Sequence, residues 1–234
     1  MKFQTWAAIL ALGTGLAAHG GLYTEGPYTS GFANGGNIPD GSTAGWGDTR
    51  NVTDIPANLK IAGVSVTFTI SGGYNGDLYG YLSHNGVLVP LLNRVGQGTG
   101  SEPTFSFGYG DAGFNNVTLA DSGSLNIHNY GGGSVPKDTT YLPDSGGATF
   151  AGTFGGGNPN GNWTLFFADL SSGGGQSKLD GWSLSINAVV PEPVNVALGI
   201  LGGVFLVVIL VRNHRVRHWV HRRRAAVVEW IDAV

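Results

Sequence analysis

Apolar and polar side chains alternate from residue 61 to 70, with Val64, Val66, Phe68 and Ile70 set against Ser65, Thr67 and Thr69. A period of two is what a strand with one buried face requires. Residues 78–83 and 87–95 flank Asn85-Gly86, a pair that accepts the positive φ angles of a two-residue turn, so these runs predict a β-hairpin. Shorter β-branched or aromatic runs at 104–109, 116–119, 124–128, 162–169 and 181–189 are each bounded by glycine or a polar turn. Together they make about eight short strands and predict an all-β fold, a β-sandwich of jelly-roll type. Residues 131–147 read as a long polar loop, and 155–161 and 171–177 as glycine-rich turns. Neither turn precedes a predicted helix, so neither is a phosphate cradle.

Both ends of the chain break this pattern. Near the carboxyl end, Pro191-Glu192-Pro193 runs into 18 residues, 194–211, whose one polar side chain is Asn195. As a helix this stretch reaches about 27 Å, the thickness of a hydrocarbon core, and predicts a C-terminal transmembrane helix. Arg212, Arg215, Arg217, Arg222, Arg223 and Arg224 follow it; a basic flank of this kind stops transfer and stays on the cytoplasmic side, leaving the body of the chain exported. At the amino end Lys2 precedes an apolar run from Trp6 to Ala18 and the small residues around Ala18-His19-Gly20. These features predict an N-terminal signal helix over 1–20, cleaved to leave a chain from about Gly21. The organisation expected is a signal peptide at 1–20, an extension at 21–50, the sandwich at 51–188 and a sorting region at 189–234.

Charge is divided along the same boundaries. Residues 21–190 carry twelve acidic side chains against five basic, a net charge of −7, while six of the twelve basic residues of the chain lie beyond the apolar stretch. An acidic body of this kind excludes nucleic acid as its partner, which needs a basic surface. Cysteine is absent, which excludes disulfides, thiol chemistry and thiolate metal sites. Glycine is abundant, with 41 residues, and only 12% of the chain is charged, in keeping with strands joined by tight turns.

Gly76-Asp77-Leu78, then Leu82-Ser83-His84-Asn85-Gly86 and Leu91-Leu92, then Gly161-Asn162-Trp163-Thr164-Leu165 with Asp169, and last Leu179-Asp180-Gly181-Trp182-Ser183-Leu184 together resemble the P domain of proprotein convertases. The resemblance covers about 51–188. It implies a jelly-roll β-sandwich, which in those proteases follows a subtilisin-like catalytic domain and stabilises it. The carboxyl end resembles a PEP-CTERM sorting signal, with Pro191, Glu192 and Pro193 as the motif, 194–211 as the span and 212–234 as the arginine-rich tail. That resemblance implies recognition by an exosortase, residence in the inner membrane before processing and display at the surface or in an exopolysaccharide matrix afterwards. The tail departs from the pattern by continuing for ten residues beyond Arg224.

Catalysis finds little support in the chain. A Ser-His-Asp hydrolase needs three positioned side chains on a larger scaffold. Asp121-Ser122-Gly123 and Asp144-Ser145-Gly146 are tripeptides of the turn-forming kind, and His84 and His128, on a hairpin and a strand end, read as packing or surface residues. The function expected is therefore that of a non-catalytic exported surface or matrix protein. Two alternatives stay open: a calcium-dependent or glycan-binding module, and a non-catalytic protease-associated domain. For calcium the candidate ligands are Asp77, Asp111 and Asp169, each at a turn, because oxygen ligands on loops suit that ion. For glycan the candidate platform is Tyr74, Tyr79, Tyr81, Tyr109 and Tyr130; Trp163 and Trp182 are expected in the core. No other cofactor is implied.

Overall fold

A computed structural model describes residues 20–98, 106–191 and 199–212. The chain divides into two units, Met1–Pro191 and Glu192–Val234. The first is all-β, and its described residues hold ten strands: β1 (Gly21–Tyr28), β2 (Asn37–Ile38), β3 (Ser42–Val52), β4 (Lys60–Ser71), β5 (Leu78–His84), β6 (Val87–Asn93), β7 (Gly113–Ala120), β8 (Thr140–Tyr141), β9 (Gly161–Asp169) and β10 (Ser177–Val189). They form two sheets. Sheet A runs β1-β10-β4-β7-β8, with β2 also paired to β10, and sheet B runs β3-β9-β5-β6. All pairings are antiparallel except β7 with β8.

The alternation in β4 does what its period predicts. Val64, Val66, Phe68 and Ile70 are buried and meet Leu184, Trp182 and Leu179 of β10 and Phe114, Val117 and Leu119 of β7 in one core. From sheet B the same core receives Trp46, Leu78, Leu82, Val89, Trp163, Leu165 and Phe167. Phe68 touches Phe167 across the layers edge to face, with ring centroids 5.4 Å apart, a geometry that adds about 1 kcal/mol to the apolar burial. A polar contact also joins the layers: the buried Trp182 indole donates to Asp48 Oδ2 at 2.7 Å. One end is closed by α1 (Phe150–Phe154), whose first two amide N–H groups, of Phe150 and Ala151, donate to the Asp121 carboxylate at 2.8 Å each. Thr149 is the N-cap, its hydroxyl accepting from Gly152 N–H at 3.0 Å, and Asp121 adds acceptors from a separate turn.

The β5–β6 hairpin forms as expected, with Asn85 at φ 49° and Gly86 at φ 82°. Other expectations are corrected. Residues 21–50 are not an extension outside the sandwich, since they supply β1, β2 and most of β3 to the two sheets. Residues 124–128 are not a strand: the Asn126 side chain accepts from His128 N–H at 2.8 Å and turns the chain into a 3-10 helix at Ile127–Asn129. Of the run 104–109, the described part from Ser106 onward is not a strand either.

In the second unit, residues 199–212 are helical. Among the described residues no helix is long and apolar enough to cross a membrane. The first five residues of the expected span 194–211 lie outside the described residues, as do residues 1–19, Glu192, Pro193, Arg215, Arg217, Arg222, Arg223 and Arg224.

Candidate functional site

Strand register gathers carboxylates at one end of sheet B. Leu78 and Ser42 both pair with Asp169, so the turn entering β5, the turn between β2 and β3 and the end of β9 meet there. Asn75–Asp77 is a single 3-10 turn, and Leu170 N–H donates to the Asp77 carbonyl at 2.8 Å. Asp169 Oδ1 accepts from Ser171 N–H at 3.2 Å. Its Oδ2 is buried and has no hydrogen-bond partner. Asp40, on the β2–β3 turn, accepts from Gly173 N–H at 3.3 Å.

Burial, reinforced by Asp77 and Asp40 and opposed by the Ser171 and Gly41 amides, pushes the Asp169 carboxyl up to about 6. Burial also raises that of Asp77, with Asp40 adding to the effect and Arg94 opposing it. A second orphan, Ser177 Oγ, lies on β10 opposite Ile38, two residues before Asp40.

Two of the three carboxylates expected to share a site, Asp77 and Asp169, are therefore together. Asp111 is turned elsewhere: its Oδ2 accepts from the Tyr130 hydroxyl at 2.7 Å, and Tyr130 in turn accepts from Asn75 Nδ2 at 3.1 Å. Burial raises the Tyr130 phenol well above its ordinary value. Asp40 takes the place expected for Asp111. The signal that could have found it is Pro39-Asp40-Gly41, a turn sequence in the segment read as an extension. Among the described residues no group of three or more His, Asp and Glu side chains is arranged to hold a metal ion.

The two described histidines are engaged structurally. His84 stacks on Trp163 with ring centroids 3.9 Å apart and planes 5° from parallel, and its ring nitrogens lie 3.0 Å from the Asn162 carbonyl oxygen and 2.7 Å from that of Asn158. His128 Nδ1 is 2.6 Å from Asp144 Oδ2, the pairing a catalytic histidine uses, but its Nε2 faces the Gln97 carbonyl oxygen at 3.0 Å. A carbonyl oxygen only accepts, so this position offers no proton to exchange with a nucleophile.

A different kind of surface covers the outer face of sheet B. Gly47, Phe166, Tyr81 and Pro90 stand in one cross-strand row. Tyr81 stacks on Phe166 with centroids 4.6 Å apart and planes at 15°, and Tyr79 meets Tyr81 at 6.3 Å. All three rings are partly exposed. The neighbouring row holds Thr49, Thr164, Ser83 and the exposed Leu88. Of the five tyrosines considered for a platform, Tyr79 and Tyr81 share this face. Tyr109 and Tyr130 pack against the core, and exposed Tyr74 lies beside Gly174. Phe166 was missed because it sits next to the core residue Phe167 in an unbroken apolar run. Trp163 and Trp182 are in the core as expected.

The fold these residues define is an all-β protein of two packed sheets. No protein-family model matches the chain, and no curated protein matches it. Among solved structures, the serine protease of Aeromonas sobria in complex with a chaperone matches at 15% identity and a TM-score of 0.40, over 74% of this chain and 27% of that one. The serine protease of Aeromonas sobria matches at 14% identity and a TM-score of 0.40, over 73% of this chain and 27% of that one. This chain thus spans about a quarter of the length of the proteins it matches.

Proposed function

We propose that the chain is an exported, non-catalytic module of a bacterial cell envelope: a jelly-roll sandwich of P-domain type, carried out by the signal at 1–20 and sorted through Pro191, Glu192 and Pro193 by an exosortase. On this reading the span 194–211 and the arginines from Arg212 onward hold the protein in the inner membrane until processing. It then serves in the exopolysaccharide matrix, which it contacts through the outer face of sheet B. The observation that carries the reading is the row Gly47, Phe166, Tyr81 and Pro90. Stacked aromatic rings on a sheet face, flanked by a residue with no side chain and one with a flat ring, suit the apolar faces of sugar rings, while Thr49, Thr164 and Ser83 offer hydroxyls beside them.

Two measurements test it. The intact mass of protein from envelope and medium of the native host is compared before and after alanine replacement of Pro191, Glu192 and Pro193; loss of the tail that the replacement abolishes is expected, and an unchanged full-length mass in the inner membrane refutes the sorting. Purified protein is then passed over the host's immobilised exopolysaccharide. Retention that Tyr81→Ala and Phe166→Ala each reduce at least tenfold is expected, and equal retention of wild type and variants refutes the contact face.

A further inference from the structure

We propose that a cleft on the outer face of sheet A binds a single sugar ring, held by Asn116 and Asp180. Three neighbouring ladders of that sheet are irregular at one place. Between β1 and β10, Gly26 and Pro27 stand opposite Ser183 alone, because Glu25 pairs with Leu184 and Tyr28 with Trp182. Between β10 and β4, Asp180 is the extra residue, since Leu179 pairs with Ile70 and Gly181 with Thr69. Between β4 and β7, Asn115 and Asn116 stand opposite Thr69 alone, since Phe68 pairs with Val117 and Ile70 with Phe114. A bulge bends its strand and re-aims side chains, and such irregularities gather beside functional sites. Here the bulge residues Pro27, Asp180 and Asn116 line one cleft of about 250 Å³, together with Thr67, Thr69 and Ser183. Asn116 reaches it from left-handed backbone, at φ 51°, a conformation that costs a residue with a side chain free energy.

The lining selects the ligand. A volume of about 250 Å³ falls below the roughly 300 Å³ at which sites for drug-sized molecules begin, so the cleft takes one ring rather than a longer chain. Thr67 Oγ1 lies 2.8 Å from Thr118 Oγ1, and Thr69 Oγ1 accepts from Asn116 N–H at 3.0 Å. With these hydroxyls engaged toward β7, the two threonines contribute methyl groups, and Pro27 adds an apolar ring. The polar groups are acceptors. Asn116 Nδ2 donates to Asp138 Oδ1 at 2.8 Å, which fixes the amide and leaves its oxygen to accept a ligand proton. Lys178 Nζ lies 3.2 Å from Asp180 Oδ1, so this carboxylate already has its counter-ion and offers a hydrogen-bond acceptor rather than a cation site. A ligand with an apolar face and hydroxyl donors around its edge answers both features, and a sugar ring is that ligand. The inference does not depend on the envelope role or on the aromatic face of sheet B.

The test titrates full-length protein in detergent, labelled for amide NMR, with glucose, galactose, mannose and N-acetylglucosamine in turn. At least one of these sugars is expected to give saturable shifts confined to amides of β1, β4, β7 and β10, with a Kd of about 1–10 mM, as suits so small a ligand. Asp180→Ala, at a half-buried position outside the core, and Asn116→Gly, which accepts the positive φ, are each expected to weaken binding by about tenfold or more, the loss of one hydrogen bond. Tyr81→Ala, on the other sheet, is expected to leave Kd unchanged. No saturable shift with any of the sugars, or a Kd unchanged in both Asp180→Ala and Asn116→Gly, overturns the proposal. Shifts confined to sheet B and abolished by Tyr81→Ala overturn it as well, while supporting the aromatic contact face.

Discussion

In the contact between Trp182 and Asp48 a single carboxylate links the two sheets through their core, and its removal has a calculable cost. Asp48 Oδ2 accepts from Trp182 Nε1 and from Arg50 Nε, both at 2.7 Å. Trp182 is 2% exposed, so without the carboxylate its N–H has no access to water. Leaving that donor unpaired costs about 1–3 kcal/mol, and the space left by the carboxyl group brings the expected total for Asp48→Ala to about 2–4 kcal/mol. Asp48→Asn keeps an acceptor for the indole and loses mainly the ion pair with Arg50, whose side chain is 26% exposed; that pair is worth about 1 kcal/mol or less. Equilibrium urea unfolding of the two variants should separate them by at least about 1 kcal/mol. The same substitutions in a Trp182→Phe background remove the donor first, so the cost of Asp48→Ala should fall there by about 1–2 kcal/mol. Equal costs for alanine and asparagine, or a cost unchanged by Trp182→Phe, would refute the assignment of the buried N–H as the source of the effect.

Two glycines should respond to alanine for opposite reasons, read by the same unfolding assay. At Gly76 the new methyl would lie 2.3 Å from the Phe107 carbonyl oxygen and 2.7 Å from Gly108 Cα, both backbone, so a loss of about 2 kcal/mol or more is expected as the loop is displaced. At Gly86 the space is open but φ is 82°, and the loss should be about 1–2 kcal/mol from backbone strain alone. Asp121→Ala removes the acceptors of two helix N–H groups, one on each carboxylate oxygen, and should cost about 1–2 kcal/mol; Asp121→Asn keeps one acceptor only, since its amide nitrogen donates, and should recover about half of that or less. Asp169 has its carboxyl raised to about 6 from an ordinary 3.8. The folded state therefore binds the extra proton, and stability should fall as pH rises from about 4 to about 6, by about 1–3 kcal/mol. Melting curves across that range check the sign, and Asp169→Asn should flatten the dependence.

Sheet structure was legible wherever one face of a strand is uniformly apolar, and lost where the inward face carries charge. β4 shows its period because every inward residue from Val64 to Ile70 is hydrophobic. β3 alternates just as strictly in burial, with Trp46, Asp48 and Val52 buried and Gly47, Thr49 and Asn51 exposed. Its inward Asp48, however, reads as a turn residue, and only the Trp182 indole across the core explains why an aspartate belongs there. The converse error came at 124–128, where Leu125 and Ile127 imitate a strand. Leu125 is 43% exposed and the Asn126 side chain has already turned the backbone. Local hydrogen bonding by a short polar side chain overrides a weak apolar alternation.

The acidic site was legible in its residue types and not in its membership. Asp77, Asp111 and Asp169 are alike in sequence: each is an aspartate at a turn with glycine nearby. What separates them is register, because Asp169 pairs with Leu78 on one side and with Ser42 on the other, which draws in Asp40 from a segment far away in the chain. Asp111 shares a backbone contact with Asn75 but spends its carboxylate on the Tyr130 hydroxyl. The arrangement also bears on how a cysteine-free domain holds its amino-terminal segment. β2 is two residues long and pairs with β10 through Asn37 and Ile38 alone, too short a ladder to fix the turn that follows. The Gly173 N–H that donates to Asp40 and the pairing of Ser42 with Asp169 hold that turn instead.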